Sequence, residues 1–367
     1  MRIFNRATIP ALAVVVAVAA APALAQDKLA FGLPGVPPVF GATVAYTAQE
    51  AGIFKKYGLD VTLRQMDSGA AAANAVDAGS LDASLSPSPF IMVMKSNAGS
   101  TLRAIWGMDN PDWLIASMDG AKTSCESLKG QGVGVDSNRG ARWIQLNTFL
   151  TRVCKLETDK DVPTVPLSTN VLTAMASGQI TFGVLHIDDV PVIERVSKKK
   201  VHTIAELEKV SPGEHYLSLV ARQDRLEKNR DAYVRLVAAL RDATAYMRDP
   251  KNQTAVAKFA APTMRELPDA VNALTVYNAM EFWPSGHSGL TQKRLETSSR
   301  LTPFIRPTPS VVVTMMAPRT PAMSKLREES ISQPPRPVLA SRISEATMPT
   351  SARPIAWRMP VSANGTV

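Results

Sequence analysis

The sequence predicts an α/β protein of two lobes, each built on a parallel-type sheet covered by helices. Three observations predict it. Strand-like and helical segments alternate from Lys28 onward, the pattern that lays parallel strands side by side beneath crossover helices. The alternation restarts after Trp106–Asp112, where Gly107 and Asn110-Pro111 interrupt strand-like sequence. The 367 residues are enough for two domains with sizeable cores.

The elements follow in order. Residues 1–25 read as a signal peptide: a basic start with Arg2 and Arg6, an apolar run from Ile9 to Ala21, and a small-x-small site at Ala23-Leu24-Ala25. The run is too short to span a membrane comfortably, and no Cys follows the site, so a soluble, non-lipidated periplasmic protein is expected. Residues 26–108 form the first part of lobe one. Leu29–Leu33 is a short apolar strand that breaks at Pro34-Gly35-Val36-Pro37-Pro38, since proline cannot continue a ladder. A helix is predicted over Gly41 to Phe54, ending at Lys55-Lys56-Tyr57-Gly58, with cations in its last turn and glycine past it. Leu59 to Arg64 alternates apolar and polar residues with a strand's period. Asp67-Ser68-Gly69 opens an Ala-rich helix to Ala78, and Leu81–Leu85 is the next strand.

Residues 109–224 form lobe two. Gly132–Val135 is a strand, Asp136–Gly140 a loop, and Ala141 to Cys154 a helix whose Trp143, Leu146, Leu150 and Val153 recur at helical spacing. Pro163–Leu167 and Phe182–Ile187 are strands, and Val171–Ala176 is helical. Tyr216 to Ala221 is the return strand. Residues 225–298 are the helical second part of lobe one, with helices at Arg230–Met247, Thr254–Ala260 and Leu267–Phe282. Residues 299–367 change character. From residue 301 there are eleven Pro, three Leu and no Asp, too little periodic apolar surface to fold. The segment is expected to be disordered, either an out-of-frame reading of the gene or a natural extension.

The formal net charge is +9, but Arg2 and Arg6 supply two of it and the tail five. The small remainder excludes the clustered basic face of a nucleic-acid binder. Cys125 and Cys154 are the two cysteines. In an exported chain they suggest one disulfide, because a strand going up and a helix coming down place both at one end of lobe two; the alternative is two buried thiols.

"AQEAGIFKKYGLDVTL" and "GAAAANAVDAGSLDASLSPS", then "SLKGQGVGVDSNRGARWIQLNTFL" and "MASGQITFGVLHIDDVPVIE", resemble in order and spacing the periplasmic substrate-binding proteins of ABC importers. The subgroup is the one for nitrate, sulfonates, taurine and thiamine precursors. The resemblance covers Lys28 to Leu295. It implies a type II two-lobed fold with two hinge crossovers, acting as a monomer with a small-molecule ligand, an ABC permease and its ATPase as partners. The implied function is a non-enzymatic receptor that closes on an anionic or zwitterionic organic ligand. The rivals are an enzyme on the same scaffold, sulfinate hydrolase-like or thiamine-pyrimidine synthase-like, and a ligand sensor for a membrane kinase.

In open sheets, ligands sit beyond the carboxyl ends of the strands. The residues expected there are Pro34, Gly35, Ser68, Gly69, Ser86 and Ser88 from lobe one, and Ser137, Asn138, Arg139 and Asp188 from lobe two. Helix N-termini after Gly41, Gly69 and Gly140 offer N–H groups to anions. Arg139 suits a carboxylate, sulfonate or phosphate fork; its alternative is a surface arginine supporting the loop. Asp188-Asp189 meets an amine, caps a helix or pairs with Arg139. Trp106, Trp113 and Trp283 are candidates for stacking or for core packing. No His, Cys, Asp or Glu group has metal-ligand spacing, so neither metal nor cofactor is expected.

Overall fold

The structure, a computed structural model of the chain, describes residues 26–98, 100–108, 111–263, 265–284, 289–291 and 293–296. The expected signal peptide and the tail from residue 299 lie outside the described residues. The strands are β1 (Asp27–Pro34), β2 (Leu59–Met66), β3 (Ala83–Pro87), β4 (Leu102–Gly107), β5 (Trp113–Ser117), β6 (Val133–Val135), β7 (Thr164–Pro166), β8 (Phe182–His186), β9 (His202–Glu206) and β10 (Leu217–Arg222). The helices are α1 (Thr43–Glu50), α2 (Ile53–Lys56), α3 (Gly69–Asp77), α4 (Ser88–Ala98), α5 (Ala141–Phe149), α6 (Val171–Ala176), α7 (Asp189–Ser197), α8 (Leu207–Val210), α9 (Gln223–Lys228), α10 (Arg230–Arg248), α11 (Gln253–Phe259) and α12 (Leu267–Ala279).

Two five-stranded sheets result, ordered β2-β1-β3-β10-β4 and β7-β6-β8-β5-β9. Pairing is parallel for β1 with β2 and β3, and for β6 with β7 and β8. The sheets are nonetheless mixed rather than wholly parallel. β10 runs against β3 and β4, and β5 runs against β8 and β9. The reason is connectivity: β5 and β10 are the strands that enter a sheet from the other lobe, so they arrive at the end where the parallel strands leave. The chain crosses twice, between β4 and β5 and from α8 into β10. The carboxyl ends of β1, β3, β6 and β8 therefore face the same inter-lobe cleft.

Local chemistry explains the boundaries. The helix expected over Gly41–Phe54 is interrupted, because Gly52 takes a left-handed conformation (φ 70°) and separates α1 from α2. β3 runs to Pro87 and α4 begins at Ser88, so Ser86 and Ser88, expected beyond the end of the strand, lie in strand and helix. Pro89 at the second helical position suits a helix start, where its missing N–H has no partner to lose.

In lobe one Phe31, Leu33 and Leu85 are fully buried in the sheet. α10 buries Tyr233, Leu236, Leu240 and Met247 along one stripe and packs on α1 and α2. α11 packs on α1, and α12 on α11. In lobe two Trp143, Leu146 and Leu150 are buried as their spacing required, whereas Val153 is exposed, because the chain after Phe149 widens into a π-helical turn that moves residue 153 off the apolar stripe. Cys125 and Cys154 form the expected disulfide, with Cα atoms 5.3 Å apart.

Candidate functional site

A narrow cavity lies where the two sets of strand ends meet. Pro34, Gly35, Val39, Asp67, Ser68, Gly69 and Pro87 wall it from lobe one. Trp113, Asp136, Ala141, Arg142 and His186 wall it from lobe two, and Tyr216-Leu217 from the return crossing. Its room is about 30 Å³, on the scale of a single water's volume, so the lobes nearly touch across it. Ser168 of lobe two donates to the Asp67 carbonyl at 2.6 Å, a direct hydrogen bond at the rim. The cavity opens beside a side chamber of about 240 Å³ lined by Pro37, Asn170, Thr173, Asp189 and Arg265; Val39, Arg142 and His186 line both.

Each wall has a local cause. Ser68 caps α3, its hydroxyl accepting from the Ala71 N–H at 3.1 Å. Gly69 is required by contact, since a Cβ there would lie 2.3 Å from Pro87. On the facing side Asp136 folds back onto the start of α5 and accepts from the Ala141 and Arg142 N–H groups, both at 3.0 Å. Gly140 makes room for it: a Cβ there would fall 2.1 Å from the Ser137 hydroxyl and 2.7 Å from the Asp136 carboxylate. Burial pushes the Asp136 carboxyl up, against the pull of Arg142 and these N–H groups. Arg142 donates to the Val184 carbonyl at 2.7 Å and lies 3.8 Å from Asp189.

Of the residues expected at the site, Pro34, Gly35, Ser68 and Gly69 line this cavity together. Ser86 and Ser88 are fully buried. The Ser86 hydroxyl bonds Ser84 at 2.8 Å; that of Ser88 bonds His215 Nδ1 at 2.9 Å and Ser218 at 2.6 Å. Ser137 lies in the turn before α5, while Asn138 and Arg139 are exposed, Arg139 with φ 57°. Asp188 is buried and accepts from Tyr277 at 2.7 Å and from Arg265 at 2.7 and 2.9 Å. Of the tryptophans, Trp113 lines the cavity, and Trp106 and Trp283 are core residues. Sequence reasoning missed Asp136, Arg142, Tyr216 and Arg265. The legible signal for Asp136 was its place just after a strand and five residues before α5.

Behind the cavity lies a buried polar network. His186 Nδ1 bonds Asp112 at 2.9 Å, and the backbone N–H of His186 donates to Asp189 at 2.9 Å. Tyr277 bridges Asp112 and Asp188, and Arg265 bridges Asp188 and Asp189 at 2.7 and 2.5 Å. Burial works to lower the His186 pKa, but the charge and hydrogen bond of Asp112 outweigh it and hold it above the usual range. Burial raises Asp188, while for Asp189 the charges of Arg265 and Arg142 overcome burial and lower it. Among the described residues no group of three His, Cys, Asp or Glu side chains is placed to hold a metal ion, and no helix is long and apolar enough to cross a membrane.

Comparison with known proteins adds a family. The family model described as NMT1/THI5 like matches residues 40–253, more than half of the chain. A solved structure of a protein from Bordetella bronchiseptica RB50 is similar at 18% identity, covering 84% of this chain and 99% of that one, with a TM-score of 0.70. The periplasmic nitrate-binding protein of Synechocystis PCC 6803 is similar at 13% identity over 84% of this chain and 90% of its own, with a TM-score of 0.66. The periplasmic aliphatic sulphonate binding protein of Escherichia coli is similar at 16% identity over 69% and 84%, with a TM-score of 0.54. These likenesses show a shared two-lobed fold. Comparison with curated proteins finds no match.

Proposed function

The chain belongs to the NMT1/THI5-like family, and on that premise we propose that it is a non-enzymatic solute receptor. Its two lobes swing shut on a small organic ligand, of the anionic or zwitterionic kind expected from the sequence, and the closed form hands the ligand to an ABC permease with its ATPase. The observation that carries this reading is the cavity itself. Strand ends from both sheets and the return crossing meet there, so a solute inside it touches both lobes and favours their closed arrangement. Residues 1–25 then serve as a signal peptide cleaved before Gln26, and the mature protein works as a non-lipidated monomer in the periplasm. Residues 26–108 and 225–298 act as one lobe and 109–224 as the other.

A thermal-shift screen over sulfonates, aromatic carboxylates, pyrimidines and amino acids tests the reading. A ligand at about one hundred times its Kd is expected to stabilise the fold by about 2.7 kcal/mol and to be recovered chemically unchanged. A compound converted to product by the purified protein would overturn the receptor reading in favour of an enzyme.

A further inference from the structure

The chamber beside the narrow cavity carries more hydrogen-bond donors than the chain itself uses. Arg142 is about 4% exposed and lines both spaces. Among the described residues its guanidinium makes one hydrogen bond, to the Val184 carbonyl at 2.7 Å. Asp189 lies 3.8 Å from it, too far for a second. A guanidinium has five N–H groups, and buried donors left without acceptors are costly. Arg265 lines the same chamber. It donates through Nε and Nη2 to Asp188 and Asp189, and its Nη1 makes no bond among the described residues. The acids close by are already occupied. Asp189, which lines the chamber, accepts from Arg265 on one oxygen and from the His186 backbone N–H on the other. Asp188 accepts from Arg265 and Tyr277. Asp136, which feels the charge of Arg142, turns its oxygens to the backbone of α5. The surplus in the chamber is therefore of donors. Pro37, Pro38, Val39, Leu172 and Val192 add apolar surface. The volume of about 240 Å³ equals that of about eight waters, room for a molecule of roughly ten non-hydrogen atoms.

We propose that this chamber is the ligand site, and that it takes a small carboxylate with an apolar body, the acid end forked on Arg142 and the body against the proline and aliphatic surface. The proposal rests on the receptor reading and deepens it. It narrows an anionic or zwitterionic ligand to a monocarboxylate with an apolar face, and it seats that ligand in the chamber rather than in the narrow cavity. A carboxylate there supplies the missing acceptors of a buried guanidinium in a planar, paired geometry. Pro37 to Val39 belong to lobe one and Arg142 to lobe two, so the same ligand joins the lobes.

The test is calorimetric titration of the full-length protein with benzoate and hexanoate, against benzamide, benzylamine and nitrate. The two carboxylates are expected to bind, benzamide about tenfold or more weakly, and benzylamine and nitrate not at all. Arg142→Lys keeps the charge but exchanges the fork for a point donor, so carboxylate affinity should fall by about tenfold to a hundredfold. Thr173→Phe is the second variant. Thr173 is an exposed residue of the chamber wall, and phenylalanine there fills the space while Arg142 keeps its bond to Val184. Its unliganded melting point should stay near wild type and carboxylate binding should be lost. If benzamide or benzylamine binds as tightly as the carboxylates, or if carboxylate affinity survives either substitution, the chamber assignment fails and the receptor reading stands. The same holds if neither carboxylate binds while another compound of the thermal-shift screen does. If no small molecule binds, the receptor reading fails and takes this inference with it.

Discussion

Glu214 and His215, adjacent in the return crossing, respond to pH in opposite directions. Glu214 is buried, with its carboxyl accepting from Gln145 of α5 at 3.0 Å, and burial raises it from 4.5 to about 7. Its folded pKa lies above its unfolded one, so its stabilising share is complete below about pH 4.5 and is lost as pH rises through about 7. That loss is of order 3 kcal/mol. His215 donates to the Gly289 carbonyl through Nε2 at 2.9 Å and so accepts from Ser88 at Nδ1. Burial and then Arg294 hold it at about 3, so its share is present above pH 6.5 and is lost as pH falls. Glu214→Gln keeps the acceptor for Gln145 and removes the ionisation. Urea midpoints of the variant should no longer fall between about pH 5 and pH 8 by the amount that Glu214 contributes; an unchanged slope would remove Glu214 as its source. Neither residue could be read from sequence as special, because a single glutamate or histidine in a loop-like stretch carries no sign of its burial. The arginines make the same point: Arg139 and Arg142 stand three residues apart, one exposed in the left-handed turn before α5 and one buried at the cavity in its first turn, and only the place where the helix begins separates them.

At the scale of elements, much of the architecture was legible. Strand period, glycine stops and proline breaks located β1, β2, α3, α6 and β8 closely, since each depends on local backbone chemistry. The lost boundaries were those decided by contact. The disulfide also belongs to this scale: it ties the turn before β6 to the end of the helical segment after α5, across 29 residues. Replacing both cysteines with serine is expected to lower stability by about 2–4 kcal/mol through the freer unfolded chain, read as a lower urea midpoint. A midpoint equal to that of the oxidised wild type would show that packing alone holds this end of lobe two.

Across the whole molecule, the C-terminal helical part does more than cover lobe one. α12 packs on α11, and Trp283 bonds the Gly41 carbonyl at 3.2 Å. The same segment reaches lobe two through Arg265 to Asp188 and Asp189, Tyr277 to Asp112, and Arg195 to Glu266 and Asp269. The Arg195 pairs are largely exposed and contribute little. Arg265 is about 10% exposed, and its loss leaves buried carboxylates without their cation. Arg265→Gln is therefore expected to lower stability by about 3 kcal/mol near neutral pH, and by less in acid, where Asp188 and Asp189 take up protons. A loss that stays the same at low pH would mean that packing and not charge is what Arg265 supplies.

The amino-acid sequence by itself determined the α/β alternation, the break between lobes and the turns carrying Pro34, Gly35, Ser68 and Gly69, because period, glycine and proline act within a few residues. It also brought the two cysteines to one end of a lobe. Only the tertiary structure decided that β5 and β10 run antiparallel to their neighbours, that Ser86 and Ser88 turn into the interior, and that Asp136 folds back onto the start of α5. Those outcomes depend on which distant segment arrives alongside, and no local pattern records the arrival.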